Sequence, residues 1–375
     1  MRVLHLTAGN LYGGIETYLR TLAHCRHLAP EMGPHFGLCF AGRLRNELVA
    51  EGVPVHDLGA VRLSRPWTVL AARRRLKRVL RAERFDAVVT HGCWPHAVFA
   101  PVARQADVRL VHSVHGDLST PNWIDNWAAR TRPDLVIANS RFTAGPAAKV
   151  FSRSQVEVVY LPVPASDLCD RPGARRRTRE ELGTPDEAVV ILQSSRLERW
   201  KGHAIHLDAL ARLKEVPDWE AWIVGGPQKA GESELLGELA AAARRTGISG
   251  RVRFLGQRSD VRRLMAAADI YCQPNTAPEP FGLALVEALY TGLPVVTTGF
   301  GGATEIVDET CGVLTPPEDG AAIAAALHSL ITDSGRRELV AAGRARAAAL
   351  CDPAVRLQRL AALVSSPPSR AQGTA

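Results

Sequence analysis

The sequence predicts an α/β protein with two doubly wound parallel sheets in tandem, and two observations support this. Its 375 residues suit two domains at about 100–200 residues each. Short apolar runs also alternate with amphipathic stretches, a pattern typical of parallel sheets covered by helices on both faces. In the first half, strands are predicted at 3–6, 35–40, 87–90, 108–114, 135–138 and 156–160, with helices such as 15–27 and 67–84.

The second half repeats this alternation after a break. Proline and glycine crowd residues 161–187 around the charge run 175–181, which predicts the interdomain linker and the entry to the second domain. Strands are then predicted at 189–193, 221–224, 252–255, 270–272 and 294–297, and helices at 203–213, 232–246, 259–266, 283–291 and 320–332. Two such sheets in tandem make a cleft between their carboxyl ends, where open α/β folds bind ligands.

These patterns set the expected domain bounds. The first domain is predicted at 1–163 and the second at 164–347. A helix at 348–364 is predicted to return to the first domain, and a Ser/Pro/Gly-rich tail at 365–375 is predicted to be disordered.

Composition narrows the class of protein. Hydrophobic residues make up 46% and charged residues 22%, so the chain can build real cores. No apolar run reaches 18 residues, so no transmembrane helix is expected, and residues 1–6 suggest a strand rather than a signal peptide. Seven cysteines without metal-ligand spacing disfavour a disulfide framework and a zinc ribbon. A cytoplasmic location is therefore expected.

The excess positive charge lies in the first half. Residues 1–163 hold 21 basic and 12 acidic side chains, whereas the remainder holds 25 and 26. This asymmetry predicts an anionic partner for the first half. In residues 67–84, arginines and lysine surround an apolar stripe, which suits an anionic membrane surface or a lipid pyrophosphate. A helix packed by that stripe, with a solvated basic face, explains it equally well. Nucleic acid is disfavoured because interleaved aromatics and a known module are missing.

The strongest local signal is the segment 279–287, Glu-Pro-Phe-Gly-Leu-Ala-Leu-Val-Glu. Pro280 and Gly282 predict a loop that leads into a helix, with Glu279 before the helix and Glu287 in its first turns. The two carboxylates suit the vicinal hydroxyls of a sugar or a ribose. The amides that open the helix add N–H donors: Phe281, Gly282 and Leu283. On spacing alone, a loop with one surface glutamate explains the segment about as well.

This segment resembles the glutamate pair of the retaining GT-B glycosyltransferases, specifically the large family 4 (glycosyl transferases group 1). The resemblance implies the GT-B fold, two Rossmann-like doubly wound domains facing each other across a cleft. It also implies that Glu279 and the amides of Phe281, Gly282 and Leu283 bind the donor sugar. In the same way it implies that Glu287 binds the ribose of the nucleotide.

A second motif, Ser-Ser-Arg-Leu-Glu-Arg-Trp-Lys-Gly at 194–202, follows the first strand predicted for the second domain. Arg196 and Lys201 stand at that strand's carboxyl end, where two cations can neutralise a diphosphate. A solvated basic loop is the alternative if the motif stands alone. The resemblance to family 4 implies that both side chains bind the leaving nucleoside diphosphate.

Two signals lie in the first domain. Gly13 and Gly14 follow the first predicted strand and open a helix, where backbone can approach a phosphate. The segment 9–16 is not the Gly-x-Gly-x-x-Gly fingerprint, which argues against a nicotinamide enzyme. His115 ends another strand, and the resemblance implies that it makes a polar contact to the donor sugar. More ordinary structural roles are predicted for His91, His112 and Ser140, the last as a helix cap.

Further matches follow strands of the second domain. The resemblance implies that Gly225 faces the cleft, that Arg258 lies beside the nucleotide base, and that the Gly-Gly loop at 301–307 closes the floor of the pocket. Each of these positions carries less weight than the glutamate pair.

No residue pair stands out as nucleophile and base. The resemblance implies that the donor's own β-phosphate accepts the acceptor's proton, while Arg196, Lys201, Glu279 and His115 position and stabilise. No metal or other cofactor is expected. The predicted function is transfer of a hexose-type sugar, with retention, from a nucleotide-diphosphate sugar to a glycan or polyprenyl-diphosphate-linked acceptor. The setting would be bacterial cell-surface polysaccharide or glycolipid assembly, at the inner face of the cytoplasmic membrane.

Two other classes stay open. A nucleotide-sugar epimerase or hydrolase on the same scaffold would release free or epimerised sugar without transfer. A non-catalytic nucleotide- or carbohydrate-binding protein would need neither an acceptor nor the full set of charged residues.

Overall fold

The computed structural model describes residues 1–165, 171–229, 231–333 and 336–366. It divides the chain into two compact units. The first is Met1–Pro164 with the chain from Cys351 onward, and the second is Ala165–Leu350. Among the described residues, no helix is both long enough and apolar enough to span a bilayer.

The first unit is built on a parallel sheet whose strands are β1 (Arg2–Thr7), β2 (Gly33–Leu38), β3 (Val55–Asp57), β4 (Ala87–His91), β5 (Arg109–Val114), β6 (Leu135–Ala138) and β7 (Gln155–Val158). They lie in the order β3-β2-β1-β4-β5-β6-β7. Its helices are α1 (Gly14–His24), α2 (Arg43–Ala50), α3 (Pro66–Ala82), α4 (Cys93–Gln105), α5 (Trp123–Ala129) and α6 (Arg141–Val150). Strands β4 and β6 are buried along their whole length, as expected for a sheet covered on both faces.

The second unit repeats this plan with β8 (Val189–Ser194), β9 (Trp219–Val224), β10 (Val252–Gly256), β11 (Ile270–Gln273), β12 (Val295–Thr298) and β13 (Gly312–Thr315). The strands are parallel, in the order β10-β9-β8-β11-β12-β13. Its helices are α7 (Arg171–Leu182), α8 (His203–Arg212), α9 (Glu232–Arg245), α10 (Val261–Ala267), α11 (Leu283–Thr291), α12 (Ala303–Ile306), α13 (Gly320–Thr332) and α14 (Arg336–Cys351).

The stretch 161–187, predicted to hold the interdomain linker and the entry to the second domain, contains a helix that was not predicted. Helix α7 occupies much of it, so the charge run 175–181 is helical. The reason is Arg179, which is fully buried and donates hydrogen bonds to the carbonyls of Pro185, Asp186 and Ala188 and to the carboxylate of Asp269. A charged residue can anchor a core helix when its donors are satisfied in this way.

The carboxyl-terminal helical stretch is divided in two. Asp352 interrupts it, accepts a hydrogen bond from the Val355 amide at 3.0 Å, and so caps the last helix, α15 (Pro353–Ser365). This helix packs in the first unit, where Arg359 pairs with Glu157 of β7 at 3.0 Å. Ser365, predicted to open the disordered tail, is the last residue of α15, and residues 367–375 lie outside the described part of the chain.

Because every strand within a sheet runs in the same direction, the loops after the strands gather at one edge of that sheet. In the second unit, this edge is formed by the loops that follow β8, β9, β10, β11 and β12. The motifs singled out in the second half of the sequence all lie there.

Candidate functional site

The loop after β8 is locked to the loop after β11 by close backbone contact. Gly202 has a φ of 73°, and a β-carbon on it would lie 1.7 Å from the Pro274 carbonyl oxygen. The Thr276 amide donates to the Trp200 carbonyl at 2.8 Å, and Gln193 Nε2 donates to the Lys201 carbonyl at 2.8 Å. Only glycine fits at position 202, and this close fit holds Lys201 in place.

An ion pair joins the two loops. Lys201 Nζ lies 2.7 Å from Glu279 Oε2, and the two side chains are only 14% and 10% exposed. The same oxygen accepts hydrogen bonds from Asn275 Nδ2 at 2.8 Å and Gln273 Nε2 at 3.2 Å. The ammonium also lies 3.8 Å from the centre of the Trp200 ring. The predicted catalytic residues Lys201 and Glu279 therefore meet, with the carboxylate oriented by three donors.

The backbone after Glu279 opens a helix. Gly282, at a φ of 106°, immediately precedes α11, whose first amides have no acceptor within the helix. The Gly302 amide donates to the Glu279 carbonyl at 2.6 Å, and a β-carbon on Gly302 would lie 2.6 Å from the Pro280 oxygen. The glycine loop at 301–302 thus supports the segment that carries Phe281, Gly282 and Leu283.

Arg196 lies on the same loop as Lys201 but has a different partner. Its guanidinium contacts Glu198 at 2.9 Å, and Glu198 also accepts a hydrogen bond from the Trp200 indole at 3.1 Å. Lys229 is 3.7 Å from the other oxygen of Glu198. The two cations predicted to bind a diphosphate are therefore each paired with a carboxylate of the second unit.

Glu287 lies on α11 with its side chain largely buried. Burial raises the pKa of its carboxyl, and the nearest cation, Arg262, is 4.0 Å away. A carboxylate that is shielded from water, with a cation no nearer than this, is a strong hydrogen-bond acceptor for a hydroxyl group.

The remaining second-unit positions differ in character. Gly225 has a φ of 151°, and a β-carbon there would lie 2.1 Å from the Ser195 carbonyl oxygen, so this glycine is required by packing. Arg258 makes two 2.8 Å hydrogen bonds to Asp260 and one of 3.0 Å to Glu181, and these bonds raise its pKa. These hydrogen bonds use Nε and Nη2 of the guanidinium and fix its orientation.

In the first unit, Gly13 and Gly14 lie at the start of α1, as predicted. The Gly13 amide already donates to Glu16 Oε2 at 3.0 Å. A carboxylate from the helix's own first turn therefore occupies one of the donors that the sequence assigned to a phosphate.

His115 ends a row of histidines that sequence reasoning did not connect. His5 Nδ1 lies 3.0 Å from His91 Nε2, and His91 Nδ1 lies 3.1 Å from His115 Nε2. Ser113 Oγ is 3.0 Å from that same nitrogen of His115. Burial lowers the pKa of His5 to about 3 and of His115 to about 4, so both rings are neutral at pH 7. The only sequence signal was a histidine on each of two neighbouring strands, β1 and β4, and another after β5.

Ser140 and His112 have the structural roles predicted for them, and His91 has a further contact. Ser140 caps α6 by accepting a hydrogen bond from the Thr143 amide at 3.1 Å, and His112 is buried, 3.1 Å from Thr90 Oγ1. His91 is buried as well, but it also contacts His115.

The basic helix α3 buries its apolar stripe. Val69, Ala72 and Leu76 lie in the core of the first unit, so the stripe is not available to a membrane. The outer face exposes Trp67 and Leu70, with relative exposures of 64% and 52%. The helix also carries five exposed basic residues, Arg74, Arg75, Lys77, Arg78 and Arg81.

Comparison with known proteins defines the class. The Glycosyltransferase Family 4 model matches residues 12–167, and the Glycosyl transferases group 1 model matches residues 174–346. The chain is similar to the D-inositol 3-phosphate glycosyltransferase of Salinispora tropica, with 31% identity over 305 residues, covering 72% of this chain and 62% of that protein. For the same enzyme of Xylanimonas cellulosilytica, identity is 31% over 301 residues, covering 72% of this chain and 70% of that protein.

Solved structures agree. HepE of Anabaena in complex with UDP-glucose aligns with a TM-score of 0.83 and 28% identity, covering 98% of this chain and 100% of that chain. WaaG, a glycosyltransferase involved in lipopolysaccharide biosynthesis, shares the fold with a TM-score of 0.71 and 18% identity, covering 98% of this chain and 100% of that chain.

The fold is thus GT-B, with two Rossmann-like α/β domains. The chain belongs to the family 4 type of GT-B glycosyltransferases. It spans 62% and 65% of the length of two of the curated relatives that it matches, those of Salinispora tropica and a Nocardioides species.

Proposed function

We propose that this protein is a retaining hexosyltransferase that moves a sugar from a nucleotide-diphosphate donor to a glycan or lipid-linked acceptor. The observation that carries the proposal is the Lys201–Glu279 pair beside the start of α11. It places a cation, a carboxylate and helix-opening amides together, and these groups suit a phosphate, sugar hydroxyls and sugar oxygens respectively.

The charge arrangement suits a leaving diphosphate. An ammonium has three N–H donors, so Lys201 can keep Glu279 and still donate to a phosphate oxygen. Arg196 has five donors and one close carboxylate partner, Glu198. Fixed cations facing the charge that develops on the leaving group stabilise the transition state without reorganising solvent. On this proposal neither a metal ion nor another cofactor is needed.

On this proposal, the carboxylates of Glu279 and Glu287 bind the donor and do not act as acids. Glu279 Oε2 accepts hydrogen bonds from three donors, which hold the carboxylate in place as a fixed acceptor. We therefore assign Glu279 to the donor sugar and Glu287 to the ribose, and leave the acceptor's proton to the donor's β-phosphate. This distinguishes the site from the acid and base pair of a glycosidase.

The donor that we propose to test first is a uridine diphosphate sugar. HepE of Anabaena has been crystallised with UDP and with UDP-glucose, and it is 28% identical to this chain. In the first unit, His115 would contact the sugar as a neutral imidazole, and Gly13 and Gly14 would lie near the phosphate.

The outer face of α3 is our candidate for the acceptor's membrane, at the cytoplasmic side. Exposed Trp67 and Leu70 beside basic residues suit an anionic lipid surface. Liposomes with anionic lipid should sediment the protein at low salt, and Trp67→Ala should weaken this, whereas Trp123→Ala, an equally exposed tryptophan on α5, should not. Equal sedimentation with neutral liposomes would contradict the assignment.

The test of the proposed function is product analysis. The purified protein is incubated with UDP-glucose and a panel of glycan and polyprenyl-diphosphate acceptors, with and without a chelator. Proton NMR of the product should show the anomeric configuration of the donor, and the chelator should change nothing. Free sugar in place of a transfer product would favour the hydrolase class, and epimerised donor would favour an epimerase. Nucleotide binding without any turnover would favour a non-catalytic protein.

A further inference from the structure

A cluster of potential metal ligands lies in the first unit, apart from every residue assigned above. It comprises His35 on β2, His56 on β3 and Glu83, which follows α3. His35 Nδ1 is 3.3 Å from His56 Nε2 and 3.5 Å from Glu83 Oε2, and His56 Nε2 is 3.8 Å from Glu83 Oε1. The two imidazole nitrogens thus face the two oxygens of the Glu83 carboxylate, and one ligand atom from each residue lies within 4.8 Å of the others.

These separations, 3.3, 3.5 and 3.8 Å, are close to those of ligands around one ion. Donors bound tetrahedrally at about 2.0–2.1 Å lie about 3.3–3.4 Å from one another. A hydrogen bond between the two imidazoles accounts for one of the three short distances, whereas a shared ion accounts for all three. We propose that His35, His56 and Glu83 form a binding site for a divalent transition metal of the zinc class, with solvent completing the coordination.

The chemistry and the support of the ligands fit that metal. Two imidazole nitrogens and one carboxylate oxygen form a donor set that zinc favours. The two rings are stacked with an angle of 7° between their planes, and Phe85 makes a T-shaped contact with each of them.

Arg2 is the competitor for this site. Its guanidinium pairs with Glu83, and its Nε lies 3.5 Å from His35 Nε2. If a metal ion and the Arg2 guanidinium both bound the Glu83 carboxylate, two positive charges would lie a few ångströms apart. Their repulsion would disfavour binding of the metal. Removing Arg2 should strengthen metal binding, whereas removing a ligand should weaken it.

The position of the cluster indicates a structural role. Arg2 opens β1, His35 is near the start of β2, and Glu83 lies four residues before β4, so the cluster lies towards the amino ends of the strands. Gly13 and His115 follow strands and lie at the opposite edge of the sheet. A metal here would fasten the short edge strand β3 to β2 and to the end of α3, stabilising the first unit without touching the reaction.

The experiment is a titration of tag-free, metal-stripped full-length protein with zinc, by calorimetry, and with cobalt, by visible absorption. The wild type should bind one ion and melt several degrees higher with zinc. His35→Gln, His56→Gln and Glu83→Gln should each lose most of that binding and the shift in melting temperature. Arg2→Gln should bind tighter, on the order of tenfold. His24→Gln, which alters a surface His–Glu pair separated by 3.2 Å, should behave as wild type.

Each outcome bears on the proposal. Circular dichroism establishes that the ligand variants are folded, and Arg2→Gln keeps the test informative even if one of them is not. No zinc binding at micromolar concentration, unchanged binding in the folded ligand variants, or weaker binding in Arg2→Gln would overturn the site. Because the readout is metal binding, the result does not depend on whether the protein transfers a sugar.

Discussion

The two units share one architecture and carry different chemistry at the carboxyl ends of their strands. In the second unit, that edge holds charged groups in pairs, with Lys201 on Glu279 and Arg196 on Glu198. In the first unit, it holds neutral, buried imidazoles in a row from His5 to His115. The same fold therefore supports an electrostatic site in one unit and a buried row of uncharged, hydrogen-bonded groups in the other. Under the proposed function, the electrostatic site would bind the diphosphate, and His115, at the end of the row, would contact the sugar.

The largest effect is expected when a cation of the second unit is removed. Lys201→Ala should lower turnover by about 10²–10³-fold while the protein stays folded, because a fixed cation facing developing charge is lost. Lys214→Ala is the matched control, since Lys214 makes only a surface contact with Glu215 at 3.6 Å. Steady-state kinetics with the donor measure both variants. A wild-type rate in Lys201→Ala would show that the diphosphate is bound elsewhere.

Lowering the pH should destabilise the first unit more than the second. Burial lowers the pKa of His5 to about 3, and of His96 and His115 to about 4, and it also lowers those of His91 and His112. The second unit has two such histidines, His203 near 4 and His206 near 3.

The sign follows from proton binding. The unfolded chain takes up protons at its ordinary pKa of 6.5, whereas the folded chain does so only near 3–4. The contribution of these histidines to the free energy of unfolding is therefore complete above about pH 6.5. As the pH drops towards 4, it falls by about 1.4 kcal/mol per pH unit for each such group. Hydrogen exchange at pH 7 and pH 5 should show protection lost first in β1, β4 and β5. Earlier loss in β8, β9 and β11 would contradict the expectation.

A glycine substitution tests whether the close packing of the second-unit loops matters. Gly202→Ala should destabilise by about 1–3 kcal/mol and displace Lys201, because the new β-carbon meets the Pro274 oxygen at 1.7 Å. Gly183→Ala has a similar φ of 59° with nothing within 4 Å, so it separates backbone strain from the clash. Urea unfolding and donor kinetics compare them. Equal behaviour of the two variants would mean that strain alone, and not the packing of the loops, sets the effect.

The smallest effect is expected in the first unit. His91→Asn should lower turnover by about tenfold, a typical cost for losing one positioning hydrogen bond. Because His91 touches His115 rather than the phosphate site, the shift in melting temperature with nucleotide should be unchanged. If that shift disappeared, the histidine row would have to support nucleotide binding instead.

Sequence patterns predicted the central strands and the motif loops well. The two-domain GT-B fold is confirmed, and Leu283–Thr291 and Gly320–Thr332 form helices with the bounds expected. Such elements carry their own signal, because apolar periodicity, glycine and proline act locally. Strands β3 and β13 were not predicted. They are edge strands of three and four residues, and the apolar content is one valine in β3 and the pair Val313–Leu314 in β13, too short a run to predict a strand.

The features that the sequence did not predict depend on contacts between residues that are distant along the chain. Helix α7 is held in the core where Arg179 meets Asp269, 90 residues away along the chain. His5 and His91 are separated by 86 residues and meet only because β1 pairs with β4. The ligand cluster combines residues 35, 56 and 83, a spacing that matches no metal motif. Local rules cannot supply such encounters, because the topology of the sheet decides them.

The most direct test of the central claim is a thermal-shift screen with UDP, GDP, ADP and their common sugar conjugates. One nucleoside diphosphate should raise the melting temperature as its binding to the folded state predicts. That shift should vanish in Glu287→Ala and persist in Glu309→Ala, which alters an exposed glutamate of the same unit. No shift with any nucleotide at millimolar concentration, or an unchanged shift in Glu287→Ala, would contradict a donor site at the carboxyl ends of the second sheet.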